Sequence, residues 1–74
     1  MQPVVKDPKV KALLLRLADA PSQTIFYHGS GVGDALRARL VSAGWIERAT
    51  FGRRETLRLS DLGRAVVRLL KEHG

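Results

Sequence analysis

Apolar residues recur at helical spacing near the start of the chain. The stripe consists of Val10, Leu13, Leu14 and Leu17. This i, i+3, i+4, i+7 spacing predicts an amphipathic helix with one buried face. Pro8 suits the first turn of that helix and Asp7 suits its N-cap, while Ala20-Pro21-Ser22 ends it. Residues 1–7 are then an N-terminal arm, and residues 8–74 form a single domain.

The pattern changes after the first helix. Thr24-Ile25-Phe26-Tyr27-His28 is rich in β-formers and predicts a short strand, and Gly29-Ser30-Gly31 predicts a turn. A second helix is expected from about Val32 to Ala43, with Ser30 as a candidate cap and Gly44 as a left-handed stop. Its expected inward positions are Val32, Leu36, Leu40 and Ala43.

Alternation replaces helical spacing in the second half of the chain. Trp45 to Thr50 and Glu55 to Leu59 predict two antiparallel strands, which Phe51-Gly52-Arg53-Arg54 joins. Ser60 is expected to cap a last helix that extends to about Glu72. Its predicted buried stripe is Leu62, Ala65, Val66, Leu69 and Leu70, opposite Arg64, Arg68 and Lys71. The order helix, strand, helix, β-hairpin, helix is that of a small α+β fold.

Composition limits the chemistry that this chain can perform. With 74 residues it is close to the lower size for a stable core, which leaves little room for a catalytic cleft. It has no cysteine, so a disulfide framework and a thiolate metal site are excluded. His28 and His73 lack a ligand-like spacing, and no hydroxyl has an evident His–Asp partnership. We therefore expect no enzymatic activity, no cofactor and no metal.

The charge points to a class of partner. A net charge of +6 favours a polyanion, most often nucleic acid, through neutralisation of phosphates. The aliphatic run Ala12-Leu13-Leu14-Leu15 is interrupted by Arg16, so no membrane span is expected, and the N-terminus lacks the apolar core of a signal peptide. The absence of cysteine suits a reducing cytoplasm, which is the expected compartment.

Three short motifs occur in a characteristic order. They are Gly44-Trp45-Ile46-Glu47-Arg48, Arg53-Arg54 and Leu59-Ser60-Asp61-Leu62-Gly63-Arg64. Together they resemble the wing region of winged-helix regulators of the MarR and PadR type, over roughly Leu36 to Leu70. The resemblance implies a winged-helix fold, a recognition helix and double-stranded DNA as the partner. The chain departs from that family between Ala20 and Val32, where there is room for a strand but not for another helix, and it lacks the flanking dimerisation helices.

The basic residues of the second helix and the hairpin are the expected DNA contacts. On the helix, Arg37 and Arg39 suit base edges, whereas Ala38 and Val41 suit thymine methyl groups or a protein partner. On the hairpin the candidates are Arg48, Phe51, Arg53, Arg54 and Arg58. Arg53 and Arg54 suit a minor groove or phosphates. Arg48 and Arg58 have an alternative role in cross-strand pairs with Glu55 or Glu47.

The sequence also predicts a phosphate contact and a dimer surface. Ser30 and Gly31 are candidate phosphate contacts, because they precede the N-terminus of the second helix. Leftover aliphatic surface predicts a homodimer, in which the candidates are Val4, Val5, Leu15 and Val67.

Two functions are compatible with these patterns. The first is a DNA-binding transcriptional regulator that contacts DNA with its second helix and an arginine-tipped wing. The alternative is a winged-helix protein-interaction module, of the kind found in phage-type inhibitors or toxin-like proteins. The position of the arginines on the second helix and the hairpin favours DNA, whereas the small Ala38/Val41 surface favours a protein.

Overall fold

Over residues 5–73 the chain forms three α-helices and three strands, which occur in the order predicted from the sequence. The strands form one antiparallel sheet. The computed structural model describes the backbone of residues 5–73 and the side chains of residues 5–72. The elements are α1 (Pro8–Asp19), β1 (Thr24–Phe26), α2 (Asp34–Ser42), β2 (Ile46–Phe51), β3 (Arg54–Leu59) and α3 (Asp61–His73). The α+β class is therefore confirmed, and the arrangement is consistent with a small winged helix.

The N-terminus of α1 forms as its sequence predicts. Asp7 is the N-cap, and its carboxylate accepts a hydrogen bond of 2.9 Å from the backbone N–H of Lys9. This hydrogen bond lowers the pKa of the Asp7 carboxyl. Pro8 stands in the first turn, where its missing N–H costs nothing. Local chemistry is sufficient to set this boundary.

The connection between β1 and α2 is longer than predicted. β1 ends at Phe26 rather than at His28, because the Ser30 backbone N–H and hydroxyl both donate to the Tyr27 carbonyl and form a turn. The helix starts at Asp34 with Gly33 as its N-cap. Ser30 does not cap α2; its hydroxyl oxygen accepts from the backbone N–H of Val32 instead.

The sheet has the strand order β1-β3-β2, so β3 is central. Ile25 pairs with Leu57, and Ile46 pairs with Leu59, which places these four residues on one face. We call this the inner face, because α1 and α3 pack against it. The buried apolar core of the described residues consists of Val5, Val10, Leu13, Leu14, Leu17, Leu40, Ile46, Leu57, Leu59, Val66, Val67 and Leu70.

The buried face of α3 differs from the predicted one. Gly63, Val66, Val67 and Leu70 are buried, whereas Leu62, Ala65 and Leu69 are exposed. The cause is a close approach at Gly63, where an added Cβ would lie 2.0 Å from the carbonyl oxygen of Trp45. Contact at that position turns the face of Gly63 inward and moves Leu62 and Leu69 to the surface. The prediction for these three exposed residues was wrong.

Backbone hydrogen bonds join the end of α2 to the start of α3. Gly44 has a φ of +79°, and its N–H donates to Val41 while that of Trp45 donates to Leu40, as in a Schellman motif. Ser60 donates its hydroxyl to the Gly44 carbonyl and its N–H to the Trp45 carbonyl, and its hydroxyl oxygen accepts from the N–H of Gly63. The predicted roles of Gly44 and Ser60 are both confirmed. We call Gly44, Trp45, Ser60 and Gly63 the junction.

The aliphatic residues proposed for a dimer surface do not form an exposed patch. Val5 and Val67 belong to the core, and Leu15 packs against it. Val4 lies outside the described residues. The predicted surface was wrong for Val5 and Val67, because both side chains are buried in the core. The large apolar residues that are exposed in the described chain are Phe26, Phe51, Leu62 and Leu69.

Candidate nucleic-acid interface

Most of α2 is open to solvent. Leu40 is its one fully buried residue, and Leu36 is half-buried, as is Val32 before the helix. Ala43 was expected to face inward but is exposed, since the helix ends before it. The exposed positions of the helix are Asp34, Ala35, Ala38, Arg39 and Ser42.

Of the four predicted α2 contacts, Ala38 and Arg39 occupy the outward surface, whereas Val41 and Arg37 do not. Ala38 is exposed, and the Arg39 side chain is 65% exposed although its guanidinium lies 3.4 Å from an Asp7 carboxylate oxygen. Val41 is half-buried and packs against the core. Its prediction as an outward residue was wrong, because the last turn of α2 lies closer to the core than the first.

Arg37 belongs to a cluster of polar side chains between α2, β1 and the hairpin. Its guanidinium lies 2.9 Å from Glu55 and 3.5 Å from Asp34, and its carbon Cζ is 3.9 Å from the centre of the Tyr27 ring. Arg48 lies 3.6 Å from the same Glu55 carboxylate. We call Tyr27, Asp34, Arg37, Arg48 and Glu55 the Arg37 cluster.

The Arg37 cluster is electrically balanced, with two guanidinium groups and two carboxylates. The Arg37 side chain is only 17% exposed and faces the hairpin, so the prediction that it stands outward is wrong in its geometry. Tyr27 donates its hydroxyl to Asp34, and this hydrogen bond raises the pKa of Tyr27. The alternative prediction for Arg48, a cross-strand pair with Glu55, is confirmed.

The tip of the hairpin is fully exposed. Every residue from Glu47 to Arg54 is exposed, and Gly52 turns the chain with a φ of +64°. Within residues 5–72, neither Arg53 nor Arg54 has a carboxylate within ion-pair distance. The tip therefore presents positive charge that no acidic neighbour compensates.

The two faces of the sheet separate the predicted hairpin contacts. Arg48 points to the same face as Leu57, its register partner, and so belongs to the inner side. Phe51, Arg54 and Arg58 lie on the opposite face, which we call the outer face. Arg58 stands opposite Glu47 in the register but forms no ion pair with it among the described residues. The predicted contacts therefore form two surfaces rather than one.

Ser30 and Gly31 do not lie at the N-terminus of a helix. α2 begins at Asp34, three residues beyond Gly31, and its first turn carries the 85% exposed carboxylate of Asp34. The carbonyl of Ser30 accepts a hydrogen bond of 2.8 Å from Arg16. The helix-end reasoning behind these two phosphate contacts was wrong, because the turn extends further than the sequence indicated.

Phe26 is a surface residue that the sequence pattern did not single out. Its ring lies 6.5 Å from that of Phe51 in an edge-to-face arrangement, and the guanidinium of Arg54 lies 4.5 Å above it. The strand alternation of β1 was visible in the sequence. The pairing of β1 with β3, which brings Phe26 beside the hairpin, was not.

The described chain contains neither a bilayer-length apolar helix nor a metal-binding group. No helix within residues 5–73 is long and apolar enough to cross a membrane. Over the same part of the chain, no three residues of the His, Cys, Asp and Glu types are grouped as metal ligands.

Comparison with known proteins gives no relative for this chain. No family model matches it, and neither a curated protein nor a solved structure does.

Proposed function

We propose that this chain is a small winged-helix domain that binds double-stranded DNA and regulates transcription. The observation that carries this proposal is the hairpin tip, where Arg53 is exposed without a carboxylate partner among residues 5–72. An arginine at the end of a projecting hairpin suits a minor groove or a phosphate. A net charge of +6 favours the same partner.

The outward surface of α2 supplies the second part of the interface. Ala35, Ala38 and Ser42 are exposed at a spacing of i, i+3 and i+7, so small side chains line one strip of the helix. Such a strip lets a helix approach base edges closely, and the Ala38 methyl suits a thymine methyl. Arg39 beside the strip is the base or phosphate contact. Asp34 would repel phosphate, so the DNA backbone is expected nearer the C-terminal half of α2.

The Arg37 cluster supports the proposal through position and charge. Glu55 follows the hairpin tip in sequence, and its carboxylate is bound by Arg37 and Arg48. Its negative charge is thereby compensated within the protein. We assign Arg37 a positioning role, since it holds α2 against the hairpin without reaching the outward surface.

The test is a fluorescence-anisotropy titration of a generic DNA duplex at two salt concentrations with Arg39→Ala/Arg53→Ala. We expect at least about a tenfold loss of affinity at low salt. If each arginine contacts one phosphate, the slope of log K against log salt falls by about 0.9 per arginine.

The matched control is Arg68→Ala/Lys71→Ala, which removes the same charge from the exposed face of α3. This control is expected to lose much less affinity and to keep most of the salt slope. Equal losses in the two variants would contradict the assigned surface. Absence of salt-sensitive duplex binding in the unaltered protein would contradict DNA binding itself.

One observation favours the second candidate function, a protein-interaction module. Leu62 and Leu69 are 52% and 40% exposed on α3, and the exposed Ala65 lies between them. Apolar side chains in a row suit a protein partner better than DNA. For this function we expect no duplex binding at physiological salt, and a captured partner that Leu69→Glu releases. Capture that is unaffected by this substitution would exclude the α3 surface.

A further inference from the structure

The outer face of the sheet carries an apolar groove that is separate from α2 and from Arg53. The groove has a volume of about 360 Å³, and Phe26, Ala49, Phe51, Thr56 and Arg58 contribute to its lining. α1 and α3 pack on the inner face, so no helix of the described chain covers this side. The groove is therefore a separate surface with its own chemistry.

The sheet register explains how the groove forms. Thr56 on the central strand pairs with Phe26 on one side and with Ala49 on the other, so these residues make one row across the outer face. Phe51 and Arg54 form the next row. Thr56 is only 5% exposed although it faces solvent, because the larger side chains around it shield it. The floor is small and apolar, and the rim is aromatic and cationic.

The two aromatic rings differ from ordinary core residues in their exposure. Phe51 is 73% exposed and Phe26 is 42% exposed, and both belong to a 74-residue chain with only two phenylalanines. Leaving so much of both side chains exposed forgoes the burial that usually stabilises phenylalanine. Both phenylalanines of the chain thus lie on one exposed surface.

Charge around the rings identifies the chemistry of a ligand. The Arg54 guanidinium already stacks on Phe26, and Arg58 lines the same groove. Glu47 is the one acidic residue among the three strands that shares this face. Aromatic rings take the faces of nucleobases, while arginines take phosphates or stack on bases themselves. A protein strand or peptide would match the apolar floor but would leave the arginines without anions.

We propose that this outer face is a second nucleic-acid site, which binds the unpaired bases of a single strand on Phe26 and Phe51. Arg54 and Arg58 then contact the adjoining phosphates. The site is independent of the proposed duplex interface, because Arg39 and Arg53 take no part in it. Its occupant is single-stranded DNA or RNA, which share the stacking and phosphate chemistry.

The test compares two labelled probes of equal length and charge, an oligothymidylate and its abasic counterpart, in titrations with the full chain. Stacking predicts that the oligothymidylate binds at least about fivefold more tightly. Phe51→Leu keeps much of the apolar area but removes one of the two rings, so this preference should fall by at least about half, and Phe26 supplies the remainder. Leu69→Ala is the matched control, since it alters an exposed apolar residue elsewhere and should leave the preference unchanged. An oligouridylate probe then distinguishes RNA from DNA as the preferred source.

A second readout reports on the site directly. With selectively labelled phenylalanine, all ring signals of the chain come from Phe26 and Phe51. Stacking of thymine on them should move both sets of ring-proton resonances, and the abasic probe should not. Equal affinity for the two probes, or unchanged ring resonances, would overturn the proposal. So would Phe51-dependent self-association in sedimentation without a probe preference, which would identify a second copy of the chain as the occupant.

The duplex titration with Arg39→Ala/Arg53→Ala separates this site from the proposed function. Loss of duplex binding with an intact oligothymidylate preference would support two independent surfaces. Failure of duplex binding in the unaltered protein would not contradict the single-strand proposal, because that proposal is tested through Phe26 and Phe51 and not through Arg39 and Arg53.

Discussion

α2 and α3 are attached to the rest of the molecule by different kinds of contact. α3 buries Val66, Val67 and Leu70 in the core and approaches the backbone of Trp45 at Gly63. α2 fully buries Leu40 alone, packs Leu36 and Val41 partly against the core, and is also held by the Arg37 cluster and the junction. Salt does not screen the apolar contacts of α3, whereas it weakens the ion pairs that help to hold α2. The helix that we assign to DNA is thus the one that keeps most of its surface exposed in the folded protein.

The close approach at Gly63 provides the largest expected effect. In Gly63→Ala, the added methyl meets the Trp45 carbonyl at 2.0 Å and the Leu59 side chain at 2.8 Å. Because backbone must shift to relieve this contact, we expect a loss of about 3 kcal/mol in the free energy of unfolding, measured by urea denaturation. Trp45 is the sole tryptophan of the chain, so its fluorescence should report the same change at the junction.

Gly33→Ala is the control for that substitution. An added Cβ at Gly33 meets no heavy atom within 4 Å, and its φ of −77° is ordinary for any residue. We expect a loss of about 1 kcal/mol, because alanine is a poorer N-cap than glycine, and no added steric cost. Similar losses in both variants would contradict the importance of the α3 contact.

The electrostatic attachment of α2 predicts a smaller effect that depends on salt. Arg37→Ala removes the contacts with Glu55, Asp34 and the Tyr27 ring. We expect a loss of about 1 kcal/mol in the free energy of unfolding at low salt, and a smaller loss in 1 M salt, where screening is strong.

Arg39→Ala serves as the matched control for the cluster. It lies on the same helix, and its contact with Asp7 is longer and more exposed. Little change in stability is expected at either salt concentration. A loss in Arg37→Ala that does not diminish with salt would indicate packing rather than charge as the attachment of α2.

The smallest predicted effect is a shift in the ionisation of Tyr27. Its hydroxyl donates to Asp34, which raises the pKa of Tyr27 because the hydrogen bond stabilises the neutral phenol. The chain has a single tyrosine, so absorbance of tyrosinate during a pH titration measures this group alone. In Asp34→Ala the pKa should fall back towards its usual range near about 10.

The sign of the linked stability change follows from the raised pKa. Neutral Tyr27 is favoured in the folded state, so its contribution to stability is complete below the unfolded pKa. It is lost as the pH rises through the higher folded value. The unaltered protein should therefore lose more stability at strongly alkaline pH than Tyr27→Phe does. An identical alkaline dependence in both proteins would rule out the linkage.

Local sequence signals predicted the boundaries that depend on neighbouring residues. Asp7, Gly44 and Ser60 were all assigned correctly, because a cap needs only a few adjacent backbone groups. The end of β1 was misplaced because the turn at Tyr27 and Ser30 competes with the strand for the same backbone.

Contacts between distant parts of the chain were beyond the sequence pattern. The apolar residues of α3 are spread over more than half of the helix circumference. Periodicity alone therefore did not show whether Leu62 or Val67 is buried. The contact of Gly63 with Trp45 decides it, and that contact depends on how the helix packs. The same limit applies to Arg37 and Glu55, and to the meeting of Phe26 with Phe51.

The junction also determines how this fold tolerates variation. Ser60 donates its N–H to the Trp45 carbonyl, so the hairpin leaves the body and returns to it at the same point. The distance between α2 and α3 is therefore fixed independently of the hairpin's length. Residues inserted at Gly52 and Arg53 extend the reach of the tip without displacing either helix. The length of the hairpin can thus vary while the arrangement of the helices stays the same, so that related chains could reach into grooves of different depth.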